Sequence, residues 1–131
     1  MKGKESVVSR TLEHFNYLHQ IPELGFEEYK TSAYIGDALA AAGFRVHRNV
    51  GGTTGIVAEI DSGEPGPVVA LRADMDALPI TEKNTCTYAS QTPGVMHACG
   101  HDCHTAWLLV TARILKAHAS ELRCTVKLIF Q

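Results

Sequence analysis

The sequence predicts a layered α/β domain built on a mixed sheet. Three observations lead there. Two segments of helical period open the chain, strand-like stretches follow, and a helix apolar on almost every side precedes a last strand. Helices alternating with buried strands belong to sheet-and-helix layers rather than to a bundle or a sandwich.

The first helix is expected over Glu5 to Leu18, with Val8, Leu12 and Phe15 at i, i+4 and i+7 as its apolar stripe. Pro22 enforces a break after His19-Gln20-Ile21. A second helix is expected over Glu27 to Ala42. Glu27 and Glu28 suit the positive end of its dipole, and Gly43 suits a left-handed C-terminal cap. Its buried face would be Ile35, Ala38, Leu39 and Ala42.

The period then changes. Phe44-Arg45-Val46-His47-Arg48 alternates as a half-buried strand does, Gly51 to Gly55 is a turn, and Ile56 to Ile60 reads as a second strand. After the turn cluster Asp61 to Pro67, Val68-Val69-Ala70-Leu71 is apolar without alternation, which predicts a central strand covered on both faces. A long loop runs from Asp74 to about Gly100. The next helix is expected to start near Asp102 or Thr105 and to end about His118. Ala106, Trp107, Leu108, Leu109, Val110, Ala112, Ile114 and Leu115 leave it hardly a polar face, so it should be an inner helix. Thr125 to Phe130 begins another strand.

Composition bounds the function. The 131 residues, 45% hydrophobic and 20% charged, suit one compact domain and are too apolar for intrinsic disorder. A formal net charge of -2 excludes the basic footprint of a nucleic-acid binder. No apolar run approaches the ~20 residues that span a bilayer. Met1 to Glu5 lacks the apolar stretch of a signal peptide, so a cytoplasmic protein is expected. The four cysteines are then expected as reduced thiols or metal ligands rather than as disulfides.

The strongest anomaly is Met96-His97-Ala98-Cys99-Gly100-His101-Asp102-Cys103-His104, where three of the chain's seven histidines fall beside two cysteines. Cys and His are the common ligands of zinc and related ions. Residues two apart share a side of an extended chain but not of a helix, so Cys99 and His101 can grip one ion only where the backbone is extended. Once the helix has begun, His101 and His104, three apart, share a face. Asp102 also suits a plain helix N-cap and His104 a core histidine; Cys103 is expected to pack as a small hydrophobe.

A second constellation, Leu71-Arg72-Ala73-Asp74-Met75-Asp76, sets two carboxylates two residues apart at the end of a strand. Ligands gather outside the carboxyl ends of strands in α/β sheets. A carboxylate there can orient a metal-bound histidine; the plain reading is an Asp74–Arg72 pair in solvent. The third, His19 to Glu28, reads as a helix–turn–helix connection without chemistry of its own.

Together, LHQIPELGFEE, ALRADMDALPITE and MHACGHDCHTA resemble, in order and spacing, the metal-dependent amidohydrolases typified by hippurate hydrolase. That branch also holds the auxin-conjugate hydrolases and is related to aminoacylase and carboxypeptidase G. The resemblance runs from about Arg10 to Gln131. It implies a three-layer α/β/α, zinc-peptidase-like catalytic domain, of which residues 1–131 are the N-terminal part, cut after about four strands, without the lid or dimerisation domain. It implies two divalent ions (zinc, manganese, cobalt or nickel), with Cys99 and His101 as two of their ligands. Asp76 matches the aspartate supporting the catalytic centre behind the metals. Asp74, Asp102 and His104 are implied only as supporting residues. The substrate class implied is N-acyl amino acids. The family's general base belongs to a Glu-Glu pair expected after Leu128-Ile129-Phe130-Gln131, so the 131 residues alone should be inactive. An interrupted sheet should also expose an apolar edge and favour self-association, unless the chain belongs to a longer protein.

The competing expectation is a non-catalytic metal-binding or interaction module with one structural zinc on His97, Cys99, His101 and Cys103.

Overall fold

The computed structural model describes residues 6–131. The Glu5 start expected for the first helix lies outside the described residues, as does the Met1 to Glu5 segment.

Helix α1 (Val7–Gln20) opens at Ser6, whose hydroxyl accepts the Ser9 N–H at 3.1 Å as an N-cap. Of the stripe expected for it only Phe15 faces inward. Val8 and Leu12 are exposed, and the inward face is Thr11, His14, Phe15 and Leu18. Aromatic partners decide this: His14 meets the Tyr34 hydroxyl at 2.7 Å, and Phe15 packs edge-on against Tyr88. Helix α2 (Tyr29–Ala41) ends as expected at Gly43, whose φ of +84° only glycine adopts at little cost. Its start is different. The Glu23 carboxylate, from before the turn, accepts the N–H groups of Lys30 (3.0 Å) and Thr31 (2.7 Å). Glu28 is buried and accepts the Thr54 hydroxyl.

The sheet has four strands in the order β1-β2-β4-β3: β1 (Arg45–His47), β2 (Ile56–Ile60), β3 (Val68–Ala73) and β4 (Thr125–Phe130). The first two pairings are antiparallel and β3 runs parallel to β4, which requires the crossover through helix α3 (His101–Ala117). The mixed α/β sheet expected from the sequence is therefore present. One placement differs: among these four strands β3 lies at the edge with Val68 62% exposed, so the cover expected on both faces of Val68 to Leu71 is not found among the described residues. Continuous apolar sequence reports what a strand can bury, not what this chain brings to bury it.

Alternation separates two faces. Ile56, Ala58 and Ile60 of β2 and Val126, Leu128 and Phe130 of β4 point to one side, where Ile35 and Leu39 of α2 and Leu108, Leu109 and Ala112 of α3 complete the core. Each of the larger side chains among these contributes ~1.5–3 kcal/mol on burial. Helix α1 packs outside α3, so α3 is an inner helix as expected, although Trp107 and Ile114 stay exposed. The opposite face, with Ala70, Arg72 and Lys127 exposed, carries no helix among the described residues; the third layer of the expected sandwich is not among them. No helix of the described residues is long and apolar enough to cross a membrane.

Candidate metal centre

The site forms where β3 ends. Strand pairing continues past its last residue: Gln131 N–H donates to Ala73 O and Met75 N–H to Gln131 O, each at 3.1 Å. This holds the Asp74–Asp76 segment outside the carboxyl end of the sheet. From the other side comes the first turn of α3, with Thr105 Oγ1 donating to Asp74 O at 3.0 Å. Gly100 is the N-cap of that helix, its φ of +83° in the left-handed region. Asp102, which also suited an N-cap, is instead inside the first turn.

The histidines and aspartates then pair across 25 to 30 residues of chain. His101 Nδ1 lies 2.8 Å from Asp76 Oδ1 and 2.9 Å from Asp76 O. Both are acceptors, so Nδ1 carries a proton, and Nε2 is the nitrogen turned away from Asp76. Nε2 faces Asp74 Oδ2 at 3.4 Å. His104 Nδ1 donates to the other Asp74 oxygen at 2.6 Å, and its ring stacks on that of His101, 5.6 Å between centroids. Arg72 also pairs with Asp74, Nη1 to Oδ2 at 3.8 Å, so the plain Asp74–Arg72 contact is present beside the two histidines. Burial raises the Asp74 carboxyl, but the His104 hydrogen bond and the nearby His101 outweigh it, so Asp74 sits below the usual carboxylate range.

One atom each from Asp74, His101 and His104 lie within 4.8 Å of one another, the one such group of three or more among the described residues. Oxygen and imidazole donors with one histidine nitrogen held by a carboxylate suit a divalent ion of the zinc or manganese type. Of the residues singled out in the sequence, the structure thus brings together Asp74, Asp76, His101 and His104. Cys99 is exposed in the loop before Gly100 and lies outside the three-residue group. The set His97, Cys99, His101 and Cys103 is not assembled into a tetrad. Burial and Asp102 push the Cys103 thiol up, away from the thiolate a metal needs. His97 is buried, burial lowers its pKa, and neither ring nitrogen has a partner.

Asp102 turns away from this group. Its Oδ2 meets His19 Nδ1 at 2.6 Å, and His19 Nε2 meets Glu82 Oε1 at 3.0 Å. The His19 and Glu82 roles escaped the sequence reading. No spacing signals a contact across 83 residues; only the position of His19 at the end of α1 beside Pro22 was visible.

The fold and site define an α/β protein with a carboxylate-supported histidine site at the carboxyl end of its sheet. Residues 70–131 match Peptidase family M20/M25/M40. Over 115 residues the chain is 48% identical to an N-acetyl-L-cysteine deacetylase of Bacillus subtilis and 46% identical to an N-acyl-L-amino acid amidohydrolase of Geobacillus stearothermophilus. Each alignment covers 88% of this chain, but only 27% and 31% of the relative, so the chain spans under a third of these proteins. The crystal structure of a dinuclear metal-binding peptidase of the M20 family from Bacillus subtilis superposes on 95% of this chain and 35% of its own, with a TM-score of 0.90 at 42% identity. Two of the three motif stretches that carry the resemblance, ALRADMDALPITE and MHACGHDCHTA, lie within the residues that match this family model.

Proposed function

We propose that this chain forms part of a metal-dependent amidohydrolase that cleaves the amide bond of N-acyl amino acids, with two divalent ions at the centre described above. The carrying observation is the His101–Asp76 pair, which holds Nδ1 of His101 and directs Nε2 toward Asp74. His101 and Cys99 would hold metal, Asp76 would orient His101 from behind, and Asp74, anchored by His104, would add negative charge. The relatives' names, an N-acyl-L-amino acid amidohydrolase and an N-acetyl-L-cysteine deacetylase, support the substrate class.

When bound, divalent ions supply a water of lowered pKa and polarise the scissile carbonyl. The chain's own residues have positioning work. The bidentate grip of Asp76 on Nδ1 stops the imidazole from rotating. His104 holds one Asp74 oxygen, leaving the other, Oδ2, toward Nε2. A base must still take the proton of the attacking water. On the family pattern it belongs to the Glu-Glu pair expected beyond Gln131, so the 131 residues alone should bind metal without turnover.

The test compares the 131-residue chain with the gene product continued past Gln131. Both are loaded in turn with zinc, manganese, cobalt and nickel, and free amino acid is measured against a panel of N-acyl amino acids. Metal binding by both, with chelator-sensitive release by the longer protein alone, is the expected result. Binding of no metal by either protein overturns the proposal. Turnover by the shorter chain overturns the placement of the base.

A further inference from the structure

Glu82, His19 and Asp102 form a buried line of charge behind the first turn of α3. Their side chains are 4%, 10% and 1% exposed. A carboxylate oxygen lies at each nitrogen of the His19 ring, and ionised carboxylates only accept hydrogen bonds. The ring satisfies both only as an imidazolium, so two negative charges and one positive leave one net negative charge. The remaining oxygens are taken as well. Asp102 Oδ1 accepts the Cys103 N–H at 2.9 Å, and Glu82 accepts the Ser90 N–H and the Asn84 amide. Phe15, Tyr88 and His97 surround the His19 ring at centroid distances of 5.4, 5.6 and 6.3 Å.

That charge sits where the metal site is electrostatically weakest. His101 is the first residue of α3, and the unpaired N–H groups of a helix N-terminus make it a positive pole. Such a pole welcomes anions and opposes cations. Asp102 is the one acidic residue in that turn, and its burial spares it the screening an exposed carboxylate would suffer. The chain therefore does two things at once: it ties the end of α1 and the 82–90 loop to the α3 start, and it sets a negative charge beneath that start.

We propose that Glu82, His19 and Asp102 are positioning residues for the metal centre, fixing the α3 first turn and supplying the buried negative charge that makes a cation tolerable at that helix N-terminus. None of the three is a ligand. The inference rests on the reading that His101 holds metal.

The experiment titrates zinc and manganese, each alone, into purified chelator-stripped protein and reads the dissociation constant, with thermal unfolding in excess chelator as the control of fold. Glu82→Gln removes the net charge and is expected to weaken binding about tenfold, the scale seen when groups supporting metal ligands are lost. The double variant His19→Gln with Glu82→Gln returns the buried charge to a single negative, and its affinity should come back to within about threefold of the unaltered protein. Asp102→Asn removes the same charge with the same shape and carries the comparison independently if Glu82→Gln does not fold. An affinity unchanged in the folded single variants overturns the proposal. So does a double variant as weak as Glu82→Gln, since a merely structural role is not rescued by charge. Unaltered protein that binds neither metal overturns the underlying reading instead.

Discussion

His101 Nδ1 and Asp76 Oδ1, 25 residues apart in the chain, meet at 2.8 Å, and the Asp76 carbonyl meets the same nitrogen at 2.9 Å. This double acceptor fixes the ring orientation of a histidine at a helix start. Replacing Asp76 with alanine should leave the fold intact, because the carboxyl is partly exposed, yet weaken divalent metal binding by about 10–100-fold. Isothermal titration of the chelator-stripped variant measures it; an affinity equal to that of the unaltered protein would contradict the orienting role.

Cys99 is exposed and unbridged. If it holds metal, bound zinc should protect it from alkylation. Mass spectrometry after iodoacetamide treatment should find Cys99 modified in stripped protein and spared in loaded protein. Cys103, whose thiol is pushed up by burial and Asp102, should react slowly in both. Equal labelling of Cys99 with and without zinc removes it from the ligand set.

The core makes its own prediction. Leu128 is fully buried in β4, between β2 and β3, and Leu128→Ala should cost about 2–5 kcal/mol of unfolding free energy in urea titration. Val68→Ala, at the exposed edge strand, should stay within about 0.5 kcal/mol. A comparable loss at both positions would mean that the β3 edge is covered in solution.

Stability should depend on pH through the buried charges. The Ser90 N–H and the His19 ring hold Glu82 down to about 2, below its ordinary 4.5. A depressed carboxylate contributes stability above its unfolded pKa and loses it as pH falls through the folded one, so this contribution fades between about pH 4.5 and 2. Burial pulls the His19 pKa down, but the hydrogen bonds its ring donates to Glu82 and Asp102 outweigh it and the pKa is raised. Its contribution is full below 6.5 and fades as pH rises through the raised value. Melting curves should show Glu82→Gln losing less stability on acidification than the unaltered protein; parallel acid limbs would refute this.

Much of the fold was legible locally. The helical period, Gly43 as a cap, the β2 and β4 strands and the inner position of α3 each follow from residues within one or two turns of one another. The candidate metal-binding residue types were legible for the same reason, since Cys99, His101 and His104 fall within six consecutive residues. The α1 stripe and the β3 placement were not. Which of several apolar residues faces inward, and whether a strand is central, depend on partners elsewhere in the chain.

The sequence by itself determined the α/β class, the order of its elements and the segments that carry chemistry, because propensity, period and motif are properties of neighbouring residues. Only the tertiary structure decided which residues pair. It joined His101 to Asp76, His104 to Asp74, and His19 to both Asp102 and Glu82. It also drew Asp102 away from the Asp74–His101–His104 group and left Cys99 outside it. The physical reason is that hydrogen bonds and charge pairs act over about 3 Å in space. The positions they join lie up to 83 apart in sequence, where no period or propensity reaches.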